Sequence, residues 1–138
     1  MRIVSWNLNG LRAAIRKGLV EWMKQIDADI WLFQEIRALP EQVSLNWQED
    51  LGFQMIWHPA MKKGYSGVAS LSRIGIEEIS RGISTKLDPN DDEGRVLISK
   101  SKNLTCINIY LPNGGANIER QLYKDQWLED LLPLKLKE

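Results

Sequence analysis

Two short apolar runs, Ile3-Val4-Ser5-Trp6 and Ile30-Trp31-Leu32-Phe33, bracket a segment of helical periodicity, and this opening restricts the fold more than any other feature. The first run is rich in β-formers and stops at Asn7-Leu8-Asn9-Gly10, where Asn and Gly signal a turn. Between the runs, Leu19, Val20, Trp22, Met23 and Ile26 recur at helical spacing. Gly18 interrupts that helix, and Asp27-Ala28-Asp29 closes it. The second run is apolar on both faces, as a central strand covered by helices must be, and it leads straight into Gln34-Glu35. Strand, crossover helix and strand form a βαβ unit, whose parallel strands deliver their carboxyl ends to one edge of the sheet. Asn7 and Glu35 therefore share that edge.

The rest of the chain reads differently. A second helix is expected from about Pro40, carrying Val43, Leu45, Trp47 and Leu51 up to Gly52. Strands are expected around Gln54-Trp57, Gly67-Ser72, Ile76-Ile79, Arg95-Ser99 and Leu104-Leu111, the last two joined by a hairpin at Lys100-Ser101-Lys102-Asn103. From Ile118 to Leu132, the residues Ile118, Leu122, Tyr123, Trp127, Leu128, Leu131 and Leu132 form a helical stripe. The class is α/β, with one mixed, mostly antiparallel sheet flanked by helices. No repeat, linker or low-complexity tract divides the 138 residues, so one domain is expected.

Charge and cysteine content remove several functions. Basic and acidic residues balance at eighteen each, so attraction to a polyanion has to come from local clustering. The lone Cys106 forms no internal disulfide, no apolar run nears the roughly 20 residues that span a bilayer, and a reducing cytoplasm is the default. With His58 the only histidine, no zinc cluster has its ligands and any serine or cysteine triad would have to use that residue. No G-x-x-x-x-G-K-[ST] loop occurs. The six tryptophans are assigned to packing.

Chemistry concentrates at the shared edge. A carboxylate ending an apolar strand suits a hard divalent cation, and Asn7 offers an amide oxygen beside it. Spacing alone favours the plainer alternative, that Glu35 caps a loop. Tyr110-Leu111-Pro112-Asn113-Gly114-Gly115 places a phenol and an amide where a strand ends, either to reach a phosphate or simply to turn the chain. Lys62-Lys63-Gly64-Tyr65-Ser66-Gly67 pairs lysines with an aromatic, as phosphate-holding loops do and as many surface loops do. Asp88-Pro89-Asn90-Asp91-Asp92-Glu93 reads as a solvated acidic loop, and His58 as structural or surface.

Taken in order, Ser5-Trp6-Asn7-Leu8-Asn9-Gly10-Leu11-Arg12, Gln34-Glu35, Gly64-Tyr65-Ser66-Gly67-Val68-Ala69, Asp92-Glu93-Gly94-Arg95-Val96 and Tyr110-Leu111-Pro112-Asn113 closely resemble the motifs of the exonuclease III family of apurinic/apyrimidinic endonucleases. The match continues through Arg120-Gln121-Leu122-Tyr123 and Trp127. The resemblance implies a four-layered α/β sandwich and cleavage of double-stranded DNA beside abasic sites with Mg²⁺ or Mn²⁺. It makes Glu35 the metal-ligand carboxylate and Asn7 the amide beside it, Tyr110 the active-site tyrosine and Asn113 a phosphate-contacting amide. Arg12, Tyr65, Arg95 and Arg120 match positions that approach or organise the DNA surface, and Arg37 stands where relatives often place a lysine. Phosphoinositide phosphatases and secreted deoxyribonucleases share the scaffold, which leaves another phosphoester as an alternative substrate.

One departure shapes the expectation. The family activates water with a G-D-x-N motif and a late Asp-His pair, and neither follows Tyr110 before the closing Pro133-Leu134-Lys135-Leu136-Lys137-Glu138. The chain is expected to be the amino-terminal half of such a domain, inactive alone, with the inner face of its sheet bare. A complementary carboxy-terminal half or a second copy would cover that face, and a non-catalytic DNA-binding module is the alternative outcome.

Overall fold

The computed structural model describes residues 1–135, so Leu136-Lys137-Glu138 at the end of the closing run lie outside the described residues. Strand β1 (Ile3–Asn7) pairs in parallel with β2 (Ile30–Gln34), which confirms the βαβ opening. Its crossover is two helices, α1 (Leu11–Arg16) and α2 (Leu19–Ile26), parted at Gly18 in the left-handed conformation. Strands β3 (Gln54–His58) and β4 (Val68–Ser72) complete a four-stranded sheet in the order β1-β2-β4-β3.

The helix expected from Pro40 is instead a 3₁₀ turn at Pro40–Gln42 and a short helix α3 (Asn46–Asp50). Val43, with φ −131 and ψ 132, is extended and separates them. Val43, Leu45, Trp47 and Leu51 nevertheless pack on the core between this sheet and its helices, beside Leu11, Met23, Trp31, Phe33 and Leu71.

The remaining strands do not extend that sheet. Strands β5 (Glu77–Arg81), β6 (Val96–Ser101) and β7 (Leu104–Ile109) form a separate antiparallel sheet in the order β5-β6-β7. Helix α4 (Ile118–Lys135) covers its outer face, where Val96, Trp127 and Leu131 form a second core. The two sheets pack face to face, so the layers run helices, sheet, sheet, helix, which bears out the α/β class and the four layers implied by the resemblance, while the later strands form a sheet of their own that covers the inner face expected to be bare. The seam is filled by the inward positions of β2, β4 and β6, where Ile30, Val68 and Leu97 are buried together with Ser70, Ser72, Ser99 and Ser101.

Asn108 stitches the seam. Its Nδ2 donates to the Ala69 carbonyl at 2.9 Å and the Phe33 carbonyl at 3.2 Å, while its Oδ1 accepts from Gln34 Nε2 at 2.8 Å. This fixes β7 against the end of β2, where Glu35 follows. Of the stripe on α4, Tyr123, Trp127, Leu128 and Leu131 pack inward, whereas Ile118, Leu122 and Leu132 are exposed. Among the described residues, no helix is long and apolar enough to cross a membrane.

Candidate functional site

Glu35 is the hub of the shared edge. β1 ends with Asn7, whose Nδ2 donates to Glu35 Oε1 at 3.1 Å. Tyr110, one residue beyond β7, donates its hydroxyl to the same oxygen at 2.6 Å. Arg37 pairs with Oε2 at 2.7 Å. Burial works to raise the Glu35 pKa, but the bonds from Tyr110 and Asn7, together with the Arg37 guanidinium, outweigh it and hold the carboxyl below its usual value. Burial, and then the bond to Glu35, push Tyr110 up to about 12, so the phenol remains a donor at neutral pH. The amide of Asn7 is oriented by its other end, because Oδ1 accepts from the Asn9 backbone N–H at 3.0 Å. Its oxygen is thus turned away from Glu35.

The backbone around this hub is strained. Asn9, Glu35, Arg37 and Ser66 all hold φ between 46° and 52°, a region that costs non-glycine residues energy and persists only where the surroundings impose it. Here they do. Gly10 N–H donates to the Glu35 carbonyl at 2.7 Å, Leu11 N–H to Ile36 at 2.9 Å and Arg37 N–H to Ser66 at 2.9 Å. These bonds knit the loop after β1, the loop after β2 and the Gly64–Gly67 loop into one platform. Gly67 is required there, since at φ +85 a Cβ would stand 2.8 Å from Ile36 Cγ1.

Arg12 projects from α1 into a surface cavity of about 350 Å³ lined also by Gly10, Ala13, Arg16, Arg37 and Gly64. The guanidinium groups of Arg12, Arg16 and Arg37 line it, and among the described residues only Arg37 of the three pairs with a carboxylate, that of Glu35. Arg16 joins Arg12 because residues four apart share a helix face, a spacing visible in the sequence and overlooked. Asn113 stands apart, exposed, its Oδ1 accepting from the Gly115 N–H at 3.0 Å.

Tyr65, Arg95 and Arg120 gather on Glu93 behind Tyr110. Arg95 pairs with Glu93 Oε2 at 2.7 Å, Arg120 with Oε1 at 3.2 Å, and both donate to the Tyr65 hydroxyl at 3.3 Å. Burial favours the protonated form of Glu93, yet these two arginines hold its carboxyl below the usual value. Arg120 stays partly exposed, whereas Arg95 is only 1% accessible.

The acidic loop is solvated only in part, with Pro89, Asn90 and Asp92 exposed and Asp88 and Asp91 buried. Asp88 caps the N–H groups of Asp92 and Glu93, and the buried Asp91 carboxylate accepts from the N–H groups of Arg95 and Val96 and contacts His58 Nε2 at 3.0 Å. His58 is therefore structural, as expected. Gly94 closes the turn at φ +61, where a Cβ would meet the His58 carbonyl oxygen at 2.7 Å.

As a cation site the edge offers one carboxylate. Among the described residues no group of three or more acidic, histidine or cysteine side chains converges. Glu35 Oε2 keeps a lone pair beyond Arg37, which fits a hard ion taking one carboxylate, waters and phosphate oxygens. Asn7 fits only if its amide turns over and gives up Asn9.

Residues 4–135 match the pattern described as the endonuclease/exonuclease/phosphatase family. The chain is 39% identical to an exodeoxyribonuclease of Bacillus subtilis over 133 residues, covering 96% of this chain and 51% of that protein. A 3'-5' exonuclease (NExo) from Neisseria meningitidis superposes with a TM-score of 0.82 at 26% identity, over 95% of this chain and 50% of that one. An AP endonuclease from Archaeoglobus fulgidus superposes with a TM-score of 0.79 at 26% identity, over 95% and 49%. The chain thus spans about half the length of the relatives it matches.

Proposed function

Because the chain belongs to the endonuclease/exonuclease/phosphatase family, we propose that its sheet edge is the metal-and-phosphate half of a DNA phosphodiesterase site, acting beside abasic residues. The observation that carries this reading is the Glu35 carboxylate, held by Tyr110 and Asn7 and adjoining the arginine-lined cavity. Glu35 would hold Mg²⁺ or Mn²⁺, which when bound supplies positive charge for the phosphate oxygens. Arg12, Arg16 and Arg37 would bind the backbone phosphates, and Arg120 with Tyr65 would meet the duplex farther along the same face. Tyr110 keeps Glu35 ionised and oriented, and Asn113, its Oδ1 held by the Gly115 N–H, would donate to a phosphate through Nδ2.

Among the described residues no acidic or histidine cluster gathers at Glu35, so on this reading the group that takes the proton from an attacking water comes from elsewhere. The reading therefore separates binding from turnover. A second segment supplying that base, either a complementary half or another copy, would add at an open sheet edge beside the site, that of β1 or of β7, neither of which a described strand occupies. Purified chain is incubated with an abasic duplex and Mg²⁺. Binding that weakens steeply with salt and no strand cleavage are expected. Cleavage that Glu35→Ala abolishes would overturn the separation, and salt-independent or absent binding would overturn the DNA reading.

A further inference from the structure

We infer that Arg95 is a positioning residue for Tyr110 and not a contact for DNA, an inference that rests on the role given to Tyr110 above. The ladder between β6 and β7 ends at Val96 and Ile109, and the next pair continues it through the Tyr110 N–H, which donates to the Arg95 carbonyl at 2.9 Å. The Arg95 side chain then folds back over its own neighbour. Its guanidinium carbon lies 4.8 Å from the centre of the Tyr110 ring, and NH1 donates to the Tyr110 carbonyl at 3.1 Å. The remaining partners are Glu93 and the Tyr65 hydroxyl.

Each of the three guanidinium nitrogens has a protein partner, and Arg95 is buried to 1% accessibility, which leaves a phosphate little of this side chain to reach. The ring of Tyr110 is instead fixed at both ends, by the guanidinium on its face and by Glu35 on its hydroxyl. A planar fork suits this arrangement and an ammonium does not, because only the fork stacks on a ring while donating in its own plane. The backbone of Arg95 is held independently, its N–H donating to Asp91 Oδ1 at 3.0 Å and Oδ2 at 2.9 Å. Through Arg95, therefore, the two carboxylate clusters on Glu35 and Glu93 share one rigid tyrosine.

The test begins with the unmodified chain, labelled in arginine and in its three tyrosines for NMR. The Arg95 Nε–H signal should resist solvent exchange and stay in place when an abasic duplex is added. Arg95→Lys should move the ring signals of Tyr110 and leave those of Tyr123 in place, whereas general loosening moves all three tyrosines. Arg95→Gln should leave the slope of log affinity against log salt unchanged, while Arg12→Gln makes it shallower by about 0.9. A freely exchanging Arg95 signal, Tyr110 signals indifferent to Arg95→Lys, or a slope lost in Arg95→Gln would overturn the inference. If the unmodified chain binds no duplex, the proposed function fails while the NMR comparison still decides the role of Arg95. A variant that does not fold leaves the measurement on the unmodified chain decisive.

Discussion

Tyr110→Phe removes one oxygen from the hub and nothing from the packing of the ring. The lost bond is a 2.6 Å hydrogen bond to a carboxylate, a class that contributes about 1.5–3 kcal/mol. Asn7 and Arg37 remain on Glu35, whose side chain keeps 14% exposure, so the low end, about 1.5 kcal/mol at pH 7, applies. With a urea slope near 2 kcal/mol per molar, the unfolding midpoint should fall by roughly 0.75 M. The loss should depend on pH with a definite sign. Because the folded Glu35 is held below its ordinary 4.5, the stability it lends is complete above that value and disappears as pH falls through the folded pKa. At acid pH below the folded pKa the gap between the two proteins should narrow to what a neutral bond contributes, about 0.5–1 kcal/mol. Urea unfolding at both pH values, with NMR titration of the Glu35 carboxyl, makes the check. A gap that stays equal on both sides of the titrated Glu35 midpoint, or a midpoint that does not rise in the variant, would refute the account of the hub.

Two further substitutions probe the frame. Gly94→Ala should cost more than about 2 kcal/mol, because the new Cβ meets the strand backbone at φ +61; a variant as stable as the parent in thermal unfolding would show that the turn gives way. Asn108→Leu should cost about 3 kcal/mol in urea unfolding, since the carbonyls of Phe33 and Ala69 and the amide of Gln34 lose a buried partner together. A loss below about 1 kcal/mol would mean that the sheets hold without this stitch.

The sequence carried the elements better than their assembly. Ile3–Trp6 and Ile30–Phe33 announce parallel strands by themselves, and from them the meeting of Asn7 with Glu35 follows by topology alone. Which sheet a later strand joins is not local information. Val68-Ala69-Ser70-Leu71-Ser72 reads as an ordinary strand, and only its pairing shows that the serines face a second sheet. The stretch around Asp88 and Asp91 misled for a related reason, because composition counts charges but does not reveal the backbone N–H groups that a tight turn aims at them. Tyr110 and Glu35 are 75 positions apart, and their bond could be anticipated only through the family resemblance.

Glu35, Arg37 and Ser66 sit in a backbone region that disfavours them by about 1 kcal/mol each, roughly 3 kcal/mol in a chain whose net stability is of order 5–15 kcal/mol. Glycine would relieve that strain at all three. At Ser66 the exchange removes only a hydroxyl and keeps the backbone bond from Arg37, whereas at Glu35 it also removes the carboxylate that Tyr110, Asn7 and Arg37 hold. Relief of the backbone and the chemistry of the edge are therefore opposed at Glu35 and Arg37, where the bonds on the carboxylate offset what the left-handed backbone costs.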